Sequence, residues 1–166
     1  MAISWADILE WETGPLDSIG SDLLEASSGL RSAYEQGEGA LQAVQSQGNA
    51  VTAMRATTIS NLASLERALT NVNGALIAIE GARDGVATVM ANINALQAYA
   101  EANDCTILSD GSVTGKGTEN ERGEPSIALA SISINIGKIL KQADQVDTDL
   151  YHALSDINTD TYTDGD

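Results

Sequence analysis

The sequence predicts an all-α protein: an elongated antiparallel helical hairpin or three-helix bundle with coiled-coil packing and a small β-hairpin insert near 105–114. Three observations carry this. Apolar residues recur at alternating spacings of three and four along three long stretches. The chain has no Phe and only 4% aromatic residues, which suits small and aliphatic side chains between closely packed helices better than a thick sandwich core. Its two prolines, Pro15 and Pro125, each stand just before such a stretch.

The 166 residues are read as a single helical domain: a lead (1–14), a helix (15–47), a long helix (49–103), a hairpin and loop (104–124), a last helix (125–159) and an acidic tail (160–166). Pro15, preset in φ and needing no N–H donor at a first helical position, opens the first helix. Its expected seam is Leu16, Ile19, Leu23, Ala26, Leu30, Ala33, Gly37, Ala40 and Val44. Gly48-Asn49 is a stop and reverse signal. The second helix carries Val51, Met54, Leu62, Leu65, Leu69, Val72, Leu76, Ile79, Val86, Met90 and Ile93 on a similar stripe, uninterrupted by proline. At 1.5 Å per residue it would run roughly 80 Å, so its partner helices must be long too.

Residues 103–126 break the helical pattern. Thr106-Ile107-Leu108 and Ser112-Val113-Thr114 flank Ser109-Asp110-Gly111, a strong hairpin signal. Gly115–Glu124 is polar and is expected to be a mobile surface segment. GSVTGKGT lacks the glycine spacing of a phosphate-binding loop and follows a helix instead of a strand. Pro125 then opens the third helix, with the seam Leu129, Ile132, Ile136, Ile139, Ala143, Val146, Leu150, Ala153 and Ile157.

Charge and motifs narrow the function classes. With 24 acids against 8 bases, a net charge of -16 repels phosphate backbones and anionic bilayers, so nucleic acid is not an expected partner. No run approaches the roughly 20 apolar residues of a membrane span, and no Sec-type signal stands at the start. Cys105 has no second cysteine, and His152 no second histidine at ligand spacing. Neither Gly-x-Ser-x-Gly nor an Asp-rich calcium loop is present. The expectation is a protein that is not an enzyme and takes no metal or cofactor. Among its glycines, Gly37 is the strongest packing candidate because it lies on the seam.

The chain spends both tryptophans, Trp5 and Trp11, in its first eleven residues. Ser4 can cap a short helix there, with Asp7 three residues later as the acidic half of a capping box. Six residues apart on a helix, the two indoles point about 120° from each other. Trp11, nearer the Gly14-Pro15 turn, is expected to staple the lead to the long helices, and Trp5 to be the partner contact. Leu16, Ile19, Leu23, Leu30 and Gly37 complete the packing and partner candidates.

A Trp-containing lead, a helix of about thirty residues, a Gly-containing turn at Gly48 and a longer Ala-rich helix resemble the WXG-type helical hairpins exported by type VII (ESX) secretion systems. The lead Trp5 to Trp11 followed by Pro15-Leu16, and the insert Cys105 to Thr114, look like the longer, mostly actinobacterial members, which form N-terminal targeting domains of effectors. This chain has Ser46-Gln47-Gly48 where the family carries Trp-x-Gly, keeping the glycine and losing the ring.

The resemblance implies a Tyr-x-x-x-Asp/Glu export signal, and Tyr162 with Asp166 matches it. Tyr99 has Asn103 at the fourth position, and Tyr34 with Glu38 lies inside the first helix. It further implies a small helical WXG-like partner, or a second copy of the chain, and a secretion ATPase that reads the Tyr162/Asp166 element. The expected course is synthesis in the cytoplasm followed by export to the cell surface or beyond, with a toxin domain following Asp166 if the chain is part of a longer effector. Two other readings stay open: a non-secreted coiled-coil scaffold, and a cytosolic chaperone or antitoxin-like partner of a toxin.

Overall fold

A computed structural model describes residues 2–160 and confirms the all-α class. In chain order the elements are α1 (Trp5–Leu9), α2 (Gly14–Ala43), α3 (Asn49–Ala102), β1 (Thr106–Ile107), β2 (Val113–Thr114), a 3-10 turn (Lys116–Thr118) and α4 (Ile127–Asp160). The described residues fall into two compact units, 2–16 with 81–152, and 17–80 with 153–160.

In the second unit α2 and α3 run antiparallel. Gly20 faces Ile79, Ser27 Oγ donates to Asn73 Oδ1 at 2.9 Å, and Gly37 faces Leu62. The partner number falls as the first rises. Between the helices Gly48 takes φ +139, a conformation that favours glycine, and its carbonyl accepts from Thr52 N at 2.9 Å to start α3. Helix α2 ends at Ala43 instead of continuing to 47, and the Arg55 guanidinium donates to the Val44 carbonyl, satisfying an orphan acceptor at that end.

The seam of α2 differs from the expected one in every second position. Leu16, Leu23, Leu30, Gly37 and Val44 are half-buried as predicted, but the positions between them are Gly20, Ser27, Tyr34 and Leu41. Ile19, expected on the seam, is 45% exposed, and Ala26, Ala33 and Ala40 also face out. Spacings of three-then-four and four-then-three fit the pattern equally, and hydrophobicity favoured Ile19 and Ala26. Packing against α3 instead selects the positions spaced four-then-three from Leu16, small at Gly20 and Ser27 and larger at Tyr34 and Leu41, with the hydroxyl of buried Ser27 satisfied across the seam by Asn73.

The first unit holds the larger core. Trp5 and Ile8 of α1, Val89, Ile93, Leu96 and Ala100 of α3, and Ile132, Ile136, Ile139 and Ala143 of α4 form one buried cluster with Cys105. The α3 members keep the alternating three and four spacing, and the α4 members lie on the predicted seam. By contrast, among the described residues of the second unit only Ser27, Leu62 and Ile79 are buried.

Two glycines stand against neighbouring helices with different tolerance. A Cβ at Gly37 would meet the flexible end of Leu62 at 2.8 Å, whereas one at Gly85 would meet Val146 Cγ2 at 2.6 Å and Cγ1 at 3.1 Å. Valine is stiff at χ1 and cannot swing away. Gly85→Ala is therefore expected to destabilise by about 1–2 kcal/mol, overpacking outweighing the helix propensity gained, while Gly37→Ala stays near neutral. Paired thermal melts check this; equal effects would contradict it.

The 104–124 segment is a folded cap, correcting the expectation of a mobile Gly115–Glu124. Helix α3 closes with Asp104 at φ 54 and Cys105 N donating to Ala100 O at 2.8 Å. Strands β1 and β2 pair antiparallel, Thr106 with Thr114 and Ile107 with Val113, as the Asp-Gly signal predicted. Gly117 N then donates to Asp104 O at 3.0 Å, Ser126 N to Thr118 O at 2.9 Å, and Asn120 N to Glu124 O at 2.8 Å. Pro125 is consequently bridged to Glu119 and does not open α4. Ser126 does, its Oγ accepting from Leu129 N at 3.0 Å.

Candidate partner-binding surface

The lead is built as its sequence indicated and then buried on a different face. Ser4 Oγ accepts from Asp7 N at 3.2 Å, and Asp7 Oδ2 accepts from Ser4 N at 2.9 Å, the reciprocal capping box. A single turn so capped points Trp5 and Ile8, three residues apart, in one direction. Both enter the core, at 2% and 1% exposure. Trp5 lies against Gly111 of the hairpin, where a Cβ would stand 3.2 Å from the Trp5 Cβ. Trp11 is half-buried against the same core. The assignment of Trp5 to partner contact is thus corrected: Trp5 joins lead to hairpin, while Trp11, expected as the staple, packs half-buried against the same core.

Two carboxylates in this region have pKa values lowered from 3.8. In Asp7 the cause is hydrogen bonding from Ser4, hydroxyl first and backbone second. In Asp110 it is the same pair of donors from Ser112, with Oδ1 accepting from Ser112 Oγ at 2.6 Å and Ser112 N at 2.9 Å. Since the folded pKa lies below the unfolded one, each contribution is complete above the unfolded value and is lost as pH falls through the folded value. Asp7→Asn is expected to lower the melting temperature at neutral pH and to converge on wild type well below pH 3.8. A constant difference across a pH series of melts would refute this.

Between α3 and α4 the first unit carries an open groove of about 500 Å³. Leu96 and Ile139 lie at its floor; Asn92, Ala95 and Tyr99 form one lip, and Ser131, Asn135 and Lys138 the other. Asn92 Nδ2 donates to Gln142 Oε1 at 2.8 Å across it. Lys138 is the only charged residue lining it among the described residues, in a chain of 24 acids. Such a surface suits packing by small, apolar and amide side chains better than acid–base chemistry. A smaller cleft of about 190 Å³ beside the lead is lined by Ile8, Leu9, Trp11, Met90, Ile93, Asn94 and Gln97.

The remaining candidates are dispersed. Tyr162 and Asp166 lie outside the described residues. Tyr99 is 41% exposed, but Asn103 at its fourth position donates Nδ2 to the Tyr99 carbonyl at 2.8 Å and serves as a helix-end cap. Tyr34 is half-buried on the α2 seam. His152 is exposed, its ring edge-on to Tyr151 with centroids 5.7 Å apart. Cys105 is buried, and no group of three His, Cys, Asp or Glu that could hold a metal ion occurs among the described residues. No described helix is long and apolar enough to cross a membrane.

The groove itself was not legible in the sequence, which shows only that the stretches bearing it are poor in charge. Residues 85–100 and 125–137 contain no ionisable charge except Tyr99. These charge-free runs fall on the two helices whose pairing forms the groove. No family model, curated protein or solved structure matches this chain.

Proposed function

We propose that this chain is a type VII secretion substrate, or the N-terminal targeting domain of a secreted effector, acting through helical partner binding and presentation of an export signal. The observation that carries the reading is the order of elements: a capped tryptophan lead, a thirty-residue helix turning at Gly48 into a longer one, and a β-hairpin insert before a last helix. The sparse burial of the second unit supports a helical partner there, because a two-helix seam with so few buried side chains has little apolar area to offset its ordering entropy. Tyr162 and Asp166 would be read by the secretion ATPase.

Export of the full chain from a host with an active type VII system tests this. Wild type is expected in the culture supernatant, and Tyr162→Ala with Asp166→Ala is expected to be retained. Undiminished export of the double variant removes the signal assignment. Retention of the wild type removes the secretion reading in favour of an intracellular scaffold, or of a chaperone if it co-purifies with a toxin.

A further inference from the structure

Helix α4 carries a second stripe on the side away from its core seam. Ile127, Ser131, Ile134, Lys138 and Lys141 alternate spacings of four and three, the period that keeps residues on one helix face. Ile127 is 89% and Ile134 59% exposed, the former the most exposed large apolar side chain among the described residues. Lys138 and Lys141 are exposed and have no ion-pair partner among the described residues. Ser131 and Lys138 also line the groove, so the stripe runs along its lip.

Charges stand on both sides of Ser131: the turn before α4 carries exposed Glu119, Glu121 and Glu124 against a single Arg122 and is net acidic, and the helix after it carries two lysines. Lys138 lies seven residues after it and Glu124 seven before; Lys141 lies ten after and Glu121 ten before. The acidic side is held in place: Asn120 N donates to Glu124 O at 2.8 Å, Gly123 takes φ 73, and Glu119 is bridged to Pro125. Glu121 and Glu124 are both exposed.

We infer that this face is a self-association surface on which α4 of a second copy docks antiparallel, with the two-fold axis at Ser131. An isologous contact brings position i against position j and j against i. In the antiparallel register each copy's Lys138 and Lys141 meet the partner copy's acidic turn, while the stretch holding Ile127 lies against the one holding Ile134. A parallel register would set lysines against lysines and acids against acids. The small side chain at Ser131 lets the helices approach at the axis. Exposed ion pairs add little affinity but select orientation, and the isoleucines supply the apolar area. The dimer does not depend on the export reading and can fail or stand without it.

Sedimentation equilibrium on the full chain tests it with charge-swap variants. Wild type is expected to dimerise. Lys138→Glu with Lys141→Glu, or Glu121→Lys with Glu124→Lys, should each weaken the dimer by about tenfold, and all four changes together should restore it to within roughly threefold of wild type. Ile134→Glu, at an exposed site that leaves the fold intact, should also dissociate it. In a Cys105→Ala background, Ser131→Cys should cross-link under mild oxidant and Ile127→Cys should not. A wild type that stays monomeric at roughly 100 µM overturns the proposal, as does failure of the fourfold swap to restore dimers. Cross-linking through Ile127→Cys in preference to Ser131→Cys overturns the antiparallel register.

Discussion

Trp5→Ala is expected to destabilise the protein by about 3–5 kcal/mol, the usual cost of truncating a buried aromatic. Trp5 is 2% exposed, is clustered with Ile8, Val89, Ile93 and Leu96, and leaves no free space for a Cβ at Gly111. Trp11→Ala should cost less, about 1–2 kcal/mol, because its ring is only half-buried. The indole Nε1 of Trp5 is buried with no hydrogen-bond partner among the described residues, and such a donor costs about 1–3 kcal/mol. Trp5→Phe should therefore retain most of the stability lost in Trp5→Ala, since it keeps a ring and removes the unsatisfied N–H. Thermal melts of the three variants decide the matter; a larger loss at Trp11 than at Trp5 would reverse the assignment of the staple.

Gly117→Ala should cost roughly 3 kcal/mol, at the upper end for overpacking. A Cβ at this position would collide with the Asn103 carbonyl oxygen, which belongs to the backbone ending α3 and cannot rotate away. The same Cβ would stand 3.0 Å from Cys105 Sγ, so relief of the clash lifts the 115–118 segment from the thiol it covers. The substitution should thus lower thermal stability and also raise the rate at which a maleimide labels Cys105, which is 3% exposed in the native protein. Gly123→Ala is a useful comparison: a Cβ there meets no neighbour, but its φ of 73 disfavours alanine. It should lose stability without exposing Cys105. Unchanged labelling in Gly117→Ala would show that the segment is not the lid of that thiol.

Much of this architecture was legible because it rests on local chemistry. The Ser4/Asp7 capping box, the Asp110-Gly111 hairpin and the turn at Gly48 each depend on a few adjacent residues whose hydrogen bonds or φ values exclude most alternatives. The α4 seam was also legible: Leu129, Ile132, Ile136, Ile139 and Ala143 keep alternating spacings of three and four, and Ile134 falls off that period. Helix α2 offered two choices. Ile19 and Gly20 both continue a heptad from Leu16, and only the neighbouring helix discriminates between them, because a glycine contributes to a seam by what it lets approach.

The candidate surface was less legible for a related reason. Lys138 and Asn92 look like ordinary polar surface until α3 and α4 are paired, when they become the lips of one groove. The sequence by itself determined the helical class, the positions of the breaks and the acidic, charge-poor alternation along the chain, all of which depend on residues near one another in sequence. Tertiary structure alone decided that Trp5 is buried, that Ile19 faces out, and that the 115–118 segment packs against Cys105. These outcomes are set by which surfaces meet across dozens of residues, and close packing resolves differences of one methyl group that hydrophobic periodicity leaves equal.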